Sequence, residues 1–205
     1  MSAHLFLVRH AEVEERYQRV FGGRIDMELS PRGHQQAEVL AQFLHGLQPN
    51  AIYASPMKRV HQTLAPLLQN SAPSPTILPD LREVDFGDWT GLTWEGVREK
   101  FGVSAFEWLH QLERNGISNA ESTAGYRARI EPCLRQIIRD HAEQKVLVVC
   151  HGGVIRMMLA ILLELPLAKT ASFEIDYASV TQVELRDKRV IVQSLNFTPW
   201  SGKVS

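Results

Sequence analysis

The sequence contains few cysteines and no long hydrophobic run, and each shortage excludes a class of protein. Cys133 and Cys150 are the two cysteines among 205 residues, and they form neither a CxxC pair nor a zinc-like array. This usage predicts a fold without disulfides in a reducing, cytoplasmic compartment. The longest apolar segment, residues 154–165, contains Arg156 and is much shorter than the roughly 20 residues of a membrane-spanning helix. We therefore interpret it as a core helix.

An excess of charge of one sign is also missing. The chain has 22 Lys and Arg residues against 23 Asp and Glu residues, which gives a formal net charge of -1 at pH 7. Net charge therefore offers no support for a nucleic-acid partner. The apolar stretch at residues 5–8 is shorter than the roughly 7–15 residues of a signal-peptide core. Neither export nor a membrane partner is expected.

The order of predicted elements indicates an α/β fold. Short apolar runs with β character occupy residues 4–8, 51–54, 76–78 and 146–150. They alternate with helical patterns, of which one starts at Ser30-Pro31 and runs to about residue 47, one starts at Ser55-Pro56, and one spans 123–141. Strands that alternate with helices are typical of a parallel sheet. Residues 179–185 and 190–195 flank a charged turn and predict a β-hairpin, which closes one edge of the sheet in the antiparallel sense.

The region between residues 82 and 125 has no predicted strand. We interpret it as a small helical cap inserted over the sheet, with short helices at 93–101 and 104–114. Residues 1–205 then form a single domain, which suits the length of the chain. The predicted fold is a three-layer α/β/α arrangement with a mostly parallel central sheet, an antiparallel C-terminal edge and this cap.

Three of the predicted strands end in residues that suit an anion site. Arg-His follows the first strand at positions 9–10, and His-Gly-Gly follows a later strand at 151–153. The second strand leads into a helix that carries Arg59 in its first turn. Since ligands bind beyond the carboxyl ends of parallel strands, these side chains are expected to meet in one crevice. The guanidinium of arginine can donate paired hydrogen bonds to two phosphate oxygens, and the N-terminus of a helix favours binding of an anion.

The motifs at these positions resemble those of the histidine phosphatase superfamily, also called the phosphoglycerate mutase-like family. Five segments match in order and cover nearly the whole chain: LVRHAE at 7–12, FGGRIDMELSPRG at 21–33, YASPMKRVHQT at 53–63, LREVDFGDWTGL at 81–92 and VVCHGGVIR at 148–156. A lone Arg-His pair is weak evidence, whereas five ordered motifs with suitable spacing make the resemblance specific. The resemblance implies a phosphate-handling active site.

The resemblance also implies a role for each strand-end residue. His10 is the nucleophile that forms a phosphohistidine, while Arg9, Arg59 and His151 hold the phosphoryl oxygens. Glu83 is the proton donor to the leaving group and later the base for water. Attack requires an unprotonated nitrogen, so the other ring nitrogen of His10 is expected to donate to a backbone carbonyl. No metal and no cofactor are implied, because the cations and the helix dipole take their place.

Four further residues are expected to bind substrate. Gly22 and Gly23 lie in the matching loop, and Gly152 lets the backbone approach a ligand closely. Arg16 stands where many members of the family have asparagine, and two interpretations stay open for it: contact with a second anionic group, or exposure to solvent. Ala11 replaces the usual glycine after the nucleophile, a change that is tolerated unless the backbone needs a positive φ.

The family includes phosphatases and phosphoglycerate mutases, and the sequence favours hydrolysis. Mutases usually have a longer cap with more basic residues, whereas the span from Glu83 to His151 is short and lacks a comparable basic cluster. The spacing through Arg16 and Gly23 is similar to that of bacterial α-ribazole phosphatases and other phosphatases of small substrates. The expected partner is a small-molecule phosphomonoester, and the natural substrate and the oligomeric state are left open.

Two alternatives belong to other functional classes. A metal-dependent hydrolase would use His10, Glu12, Asp26 and His151 as ligands, although no two of them have the short spacing of a typical metal pair. A catalytically silent module would use the same pocket to recognise a phosphorylated ligand. The presence of both His10 and Glu83 argues against the silent module.

Overall fold

The centre of the molecule is a six-stranded sheet, as far as the described part of the chain shows. The computed structural model describes residues 2–69, 72–186 and 189–202. The strands are β1 (Ser2–Arg9), β2 (Ala51–Ala54), β3 (Thr76–Ile77), β4 (Lys145–Cys150), β5 (Val180–Arg186) and β6 (Arg189–Phe197). Their order across the sheet is β3-β2-β4-β1-β5-β6.

The strand directions confirm the predicted sheet. β1, β2, β3 and β4 run parallel, whereas β5 pairs antiparallel with β1, and β6 pairs antiparallel with β5. The sheet is therefore mostly parallel with an antiparallel C-terminal edge. Part of the turn predicted between the last two strands, residues 187 and 188, lies outside the described residues.

The helices begin and end close to the predicted positions. They are α1 (Pro31–Leu47), α2 (Lys58–Leu68), α3 (Trp94–Phe101), α4 (Trp108–Glu113), α5 (Thr123–Asp140) and α6 (Gly152–Leu162). The start of α1 is decided locally, because the Ser30 side chain accepts a hydrogen bond from the Gly33 amide at 2.9 Å and Pro31 is the first helical residue. Within the ranges described, no helix combines the length and apolar character needed to cross a bilayer.

Both faces of the sheet are covered, which gives three layers. Leu5 and Leu7 of β1 belong to a buried cluster that includes apolar residues of α5 and α6. Phe6 and Val8, which alternate with them, belong to a second cluster that includes apolar residues of α1 and α2. Because neither face of β1 meets solvent, its apolar residues follow one another without polar interruption.

The segment at 82–125 contains α3, α4 and short 3-10 turns, and it contains no strand. Its second predicted helix is divided into a 3-10 turn at Ala105–Glu107 and α4. Trp89 and Val97 of this segment are buried in the same cluster as Leu5 of the sheet. This shared core supports our proposal that the chain is a single domain with a small inserted cap.

Two helices differ from the prediction at their first residues, and both differences concern the site. α2 begins at Lys58 after an extended Met57, instead of directly after Ser55, so the Ser55 hydroxyl is not a helix cap. α6 begins at Gly152, immediately after His151, and ends at Leu162. The N-terminus of α6 therefore lies beside the second histidine.

Candidate active site

The carboxyl ends of β1 and β4 lie side by side because these strands are adjacent and parallel, with Arg9 opposite Cys150. The residue after each strand is a buried histidine, and the ring centroids of His10 and His151 are 5.2 Å apart. A cavity of about 450 Å³ opens at this edge. Of the residues predicted for the site, the cavity is lined by Arg9, His10, Gly22, Gly23, Arg59, Glu83 and Gly152.

The His10 ring is held in one tautomer. Its Nδ1 lies 2.8 Å from the carbonyl oxygen of Ala11, and because a carbonyl only accepts, Nδ1 carries the proton and donates. Its Nε2 accepts from Arg59 Nε at 3.2 Å and therefore has a lone pair. Burial, followed by the positive charges of Arg59 and Arg9, lowers the pKa of His10 well below its ordinary value. His10 thus has the neutral, unprotonated nitrogen that a nucleophile needs.

The alanine after this histidine is accommodated without strain. Ala11 is fully buried, and it is not among the described residues with a positive φ. Its amide donates to the Thr63 hydroxyl at 2.9 Å, while its carbonyl receives the His10 ring proton. Position 11 therefore does not need the conformational freedom of glycine.

His151 is fully buried and lies behind the cavity instead of lining it. Its Nδ1 accepts from Arg59 Nε at 3.3 Å, so its proton is on Nε2, which donates to the Ser55 hydroxyl at 2.8 Å. Burial lowers the pKa of His151 well below its ordinary value, and the positive charge of Arg59 adds to this effect. Sequence reasoning missed Ser55, which looked like a helix cap.

Arg59 is the cation shared by the two histidines. It is 2% exposed, and burial lowers its pKa to about 10, so it stays charged at neutral pH. Its Nη1 donates to the Ile25 carbonyl at 2.8 Å, and its Nη2 donates to the Gly23 carbonyl at 3.0 Å. Gly23 has a φ of +47°, and a Cβ there would lie 3.1 Å from the Val84 carbonyl oxygen. Glycine is therefore favoured at position 23, where the loop carbonyl accepts from the guanidinium.

Arg9 has a donor that no described protein atom accepts. Its Nη1 donates to the Ile175 carbonyl at 2.6 Å, and its guanidinium lies 4.0 Å from the ring centroid of Tyr177. Its Nε is buried without a hydrogen-bond partner among the described residues. A buried, unsatisfied cationic donor beside a cavity is the arrangement that an anion satisfies.

Glu83 is placed at the N-terminus of α6. One carboxylate oxygen accepts from the Gly153 amide at 3.1 Å. The other accepts from the Val84 amide at 2.9 Å and from the Tyr126 hydroxyl at 3.4 Å. A Cβ at position 153 would clash with this carboxylate, so the second glycine of the His-Gly-Gly motif makes room for Glu83. Glu83 thus reaches the cavity from the cap, while its carboxylate is fixed by the first turn of α6, by the Val84 amide and by Tyr126 of α5.

The structure does not bring Arg16 to the cavity. The Arg16 side chain is exposed, and its Nη2 donates to both carboxylate oxygens of Glu14 at 3.1 Å. Of the two interpretations of Arg16, exposure to solvent describes this structure. Arg19 and Arg156 line the cavity instead. Arg156 was noticed in the sequence as a charge in an apolar helix, and that charge close after His-Gly-Gly was the signal for a site residue.

Glu12 and Asp26, the two carboxylates proposed as metal ligands in the metal-hydrolase alternative, form hydrogen bonds with residues other than His10 and His151. Glu12 accepts from the Ser30 hydroxyl at 2.7 Å and lies 3.8 Å from Arg32. Asp26 accepts from the Lys58 amide at 2.9 Å. Across residues 2–69, 72–186 and 189–202, no group of three or more His, Cys, Asp or Glu side chains could hold a metal ion. The geometry therefore gives no support to this alternative.

The two buried histidines predict that acid destabilises the protein. An unfolded histidine binds a proton near pH 6.5, whereas His10 and His151 stay neutral well below that pH when folded. Below about pH 6.5 the unfolded state therefore binds more protons, and the free energy of unfolding falls by at most about 1.4 kcal/mol per pH unit for each histidine. Urea unfolding as a function of pH measures this slope. Removing one histidine, as in His151→Gln, is expected to make the slope shallower, and an unchanged slope would contradict the assignment.

The comparisons with known proteins agree with this geometry. The sequence profile of the histidine phosphatase superfamily (branch 1) matches residues 5–198. Phosphoserine phosphatase 1 of Hydrogenobacter thermophilus is 33% identical over 201 residues, which cover 97% of this chain and 94% of that protein. Adenosylcobalamin/alpha-ribazole phosphatase of Escherichia coli is 26% identical over 197 residues, covering 94% and 95% of the two chains.

A solved structure shows the same fold. The mycobacterial glucosyl-3-phosphoglycerate phosphatase in complex with VO3 superposes with a TM-score of 0.84 and 27% identity, over 95% of this chain and 98% of that chain. The fold prediction is confirmed, and so is the resemblance inferred from the five motifs. The chain belongs to the histidine phosphatase superfamily, branch 1.

Proposed function

We propose that this protein is a phosphatase that hydrolyses a small-molecule phosphomonoester through a phosphohistidine at His10. The observation that carries the proposal is the His10 ring, whose Nδ1 donates to the Ala11 carbonyl while its Nε2 keeps a lone pair beside Arg59. His10 lines a cavity together with Arg9, whose Nε is buried without a hydrogen-bond partner among the described residues. Phosphatase relatives within the same superfamily support the reaction class.

The first step transfers the phosphoryl group to the enzyme. His10 Nε2 attacks phosphorus in line, and the bond between phosphorus and the ester oxygen breaks. Glu83 donates its proton to the leaving oxygen, which departs as an alcohol. Arg9 and Arg59 stabilise the phosphoryl oxygens, while His151 lies behind Arg59 and orients it by accepting a hydrogen bond from Arg59 Nε.

The second step releases phosphate. Water attacks phosphohistidine in line, and Glu83, now a carboxylate, accepts the proton of the water as the bond from Nε2 to phosphorus breaks. Inorganic phosphate leaves, His10 is again neutral, and Glu83 is again protonated. The residues of this chain supply every group in the cycle, so the proposed hydrolysis is independent of metal ions.

The cavity wall favours hydrolysis over mutase activity. A mutase retains a bisphosphorylated intermediate and needs basic residues of the cap to grip its second anionic group. The 82–125 segment contributes to the wall Glu83, Phe86, Trp94, Ala105, Phe106, Trp108 and Leu109, and none of these is basic. The silent-module alternative is disfavoured because a nucleophile and a carboxylate both line the same cavity.

The charges of the wall favour a substrate that carries further charged groups. Arg156 donates through Nη1 to the Thr170 carbonyl, and its other nitrogens have no hydrogen-bond partner among the described residues. Glu174 lines the same cavity as an exposed carboxylate. Arg156 offers a cation for a carboxylate and Glu174 an anion for an ammonium group, a pair that fits an amino-acid phosphate; Arg19 and Asp176 also line the cavity. We therefore propose phosphoserine as the first candidate substrate, which the name of the Hydrogenobacter relative supports.

A second candidate is α-ribazole phosphate, which carries an aromatic base. The observation that favours it is an aromatic wall in the cap, where Trp94 and Phe106 pack edge to face at 5.0 Å and Trp108 lies nearby along the cavity. Phe106 is 74% exposed, so its ring is available to a ligand. The name of the Escherichia coli relative supports this candidate.

A panel of phosphomonoesters, assayed with excess chelator, tests the reaction and separates the candidates. It should contain phosphoserine, 3-phosphoglycerate, α-ribazole phosphate and phenyl phosphate, with mutase activity measured in parallel. We expect hydrolysis without mutase turnover. If none of these esters were hydrolysed, or if the activity disappeared in the presence of chelator, the proposal would be contradicted.

Replacing Arg156 is expected to weaken the hydrolysis of acidic substrates selectively. In Arg156→Met, kcat/KM for phosphoserine should fall about 10- to 100-fold, the value of a hydrogen bond to a charged group, while that for phenyl phosphate changes little. Arg98→Met removes an exposed arginine of α3 outside the cavity and is the matched control. If kcat/KM fell equally for phosphoserine and phenyl phosphate, Arg156 would not be a residue that recognises the acidic part of the substrate.

The cytoplasmic location stays a prediction. Cys133 and Cys150 are buried and unpaired, and burial raises the pKa of the Cys133 thiol to about 11. Burial also raises the pKa of the Cys150 thiol. Both thiols are therefore protonated and unreactive at neutral pH, which suits the reducing compartment predicted from the cysteine count.

A further inference from the structure

The backbone that leads to Glu83 is held by one side chain of α5. The Arg129 guanidinium donates through Nη1 to the carbonyl oxygens of Asp80 and Arg82, the latter at 2.8 Å. Its Nη2 donates to the carbonyl oxygen of Glu83 itself at 3.3 Å. One rigid fork therefore contacts three carbonyls within four consecutive residues.

The guanidinium is in turn oriented by Glu121. Arg129 Nε donates to one carboxylate oxygen at 2.7 Å and Nη2 donates to the other at 2.9 Å, which makes the pair bidentate. The Arg129 and Glu121 side chains are 15% and 13% exposed, so solvent competes little for these bonds. The Glu121 amide also donates to the Asp85 carbonyl at 3.0 Å, on the other side of Glu83.

The same helix reaches the Glu83 carboxylate. Tyr126 precedes Arg129 by one helical turn, and its hydroxyl donates to a Glu83 carboxylate oxygen at 3.4 Å. The Arg129 guanidinium carbon lies 4.6 Å from the centroid of the Tyr126 ring, which is fully buried. α5 thus grips Glu83 at both ends, at the backbone through Arg129 and at the carboxylate through Tyr126.

We propose that Arg129 is a positioning residue for proton transfer, which holds the 80–83 backbone so that the Glu83 carboxylate meets the leaving oxygen. The inference rests on the proposed acid–base role of Glu83. Arg129 does not line the cavity, so it acts through Glu83 and not on the substrate. A displacement of about 1 Å at a reacting group costs on the order of 10²-fold in rate, and loss of this fork allows such a displacement.

The dependence on leaving group distinguishes positioning from simple stabilisation of the fold. A nitrophenolate leaves without a proton, whereas an alkoxide needs one, so a misplaced acid slows only the alkyl esters. In Arg129→Met we expect kcat/KM to fall about 10- to 100-fold for an alkyl phosphate and about threefold or less for p-nitrophenyl phosphate. Arg127→Met is the matched control, because Arg127 lies on the same helix, is exposed and pairs with Glu131 at 2.8 Å. It should leave both values unchanged.

Two further variants keep the test decisive. Glu121→Gln weakens the bidentate pair while leaving the arginine in place, so it should show the same selectivity at about three- to tenfold even where Arg129→Met fails to fold. In a Glu83→Gln background, Arg129→Met should add no further leaving-group dependence, because the acid is already absent. An added dependence there would overturn the proposal.

The outcomes separate this inference from the function on which it rests. Selective loss in Glu83→Gln together with uniform loss in folded Arg129→Met and Glu121→Gln would overturn the positioning role alone. Uniform loss in Glu83→Gln would overturn the acid–base role of Glu83 and the positioning role with it. Selective loss in all three variants, with Arg127→Met unaffected, is the expected result.

Discussion

Replacement of His10 by alanine is expected to abolish phosphomonoester hydrolysis, with a loss on the order of 10⁵-fold or more in kcat, as in other enzymes that lose a covalent nucleophile. The neighbouring His151 cannot take over the attack, because it is fully buried and does not line the cavity. Hydrolysis of a chromogenic phosphomonoester in excess chelator measures the loss. Rapid quenching of the wild-type reaction should trap a phosphohistidine that intact-mass analysis detects and that His10→Ala lacks.

The control for this experiment lies on the helix that carries Arg59. His61 is exposed on α2 and does not line the cavity, so His61→Ala should keep full activity. Substantial hydrolysis by His10→Ala, or a covalent phosphate on a residue other than His10, would sink the proposed intermediate. Retained binding of a phosphorylated ligand by His10→Ala, with no turnover by wild type, would favour the silent-module alternative.

Replacement of Glu83 by glutamine is expected to slow the cleavage of esters with poor leaving groups by about 10²- to 10⁴-fold in kcat/KM. The glutamine side chain has nearly the same shape as glutamate, so its oxygen can still accept a hydrogen bond from the Gly153 backbone amide. Glutamine cannot donate a proton to an alkoxide leaving group, whereas p-nitrophenolate leaves without a proton. The loss on p-nitrophenyl phosphate should therefore be much smaller in kcat/KM, although kcat also falls because the second step has lost its base.

Asp88 supplies a matched carboxylate close by in the same motif. Its side chain is exposed and accepts from Asn119 at 2.8 Å, and Asp88 does not line the cavity. Asp88→Asn should leave the leaving-group dependence of kcat/KM unchanged. If Glu83→Gln lost the same factor on both kinds of ester, Glu83 would not be the proton donor.

Several features of the molecule were predictable because local contacts decide them. The start of α1 follows from Ser30, Pro31 and Gly33, three neighbours in the sequence. The runs at β1 and β4 are continuously apolar because both faces of these strands are covered, and such runs identify a buried parallel strand. The start of α2 was predicted two residues too early, because Ser55 followed by Pro56 is a typical helix start, whereas the Ser55 hydroxyl instead forms a hydrogen bond with His151, 96 positions away.

The sequence by itself determined the fold class and the meeting of His10, Arg59 and His151. In a parallel sheet the carboxyl ends of the strands lie at one edge, so the residues that follow them meet there irrespective of how their side chains are oriented. The tertiary structure decided which arginine reaches the cavity, since Arg16 pairs with Glu14 on an exposed turn while Arg156 lies on a helix that faces the site.

The tertiary structure also decided how Glu83 is placed. Its carboxylate is fixed by the Gly153 amide, 70 residues away, and its backbone by Arg129, 46 residues away. Contacts of this kind depend on the packing of α5 and α6 against the sheet, and no pattern of neighbouring residues specifies them. The motifs therefore predict the chemistry that we propose for the site, whereas the alignment of Glu83, the proposed proton donor, depends on the folded chain.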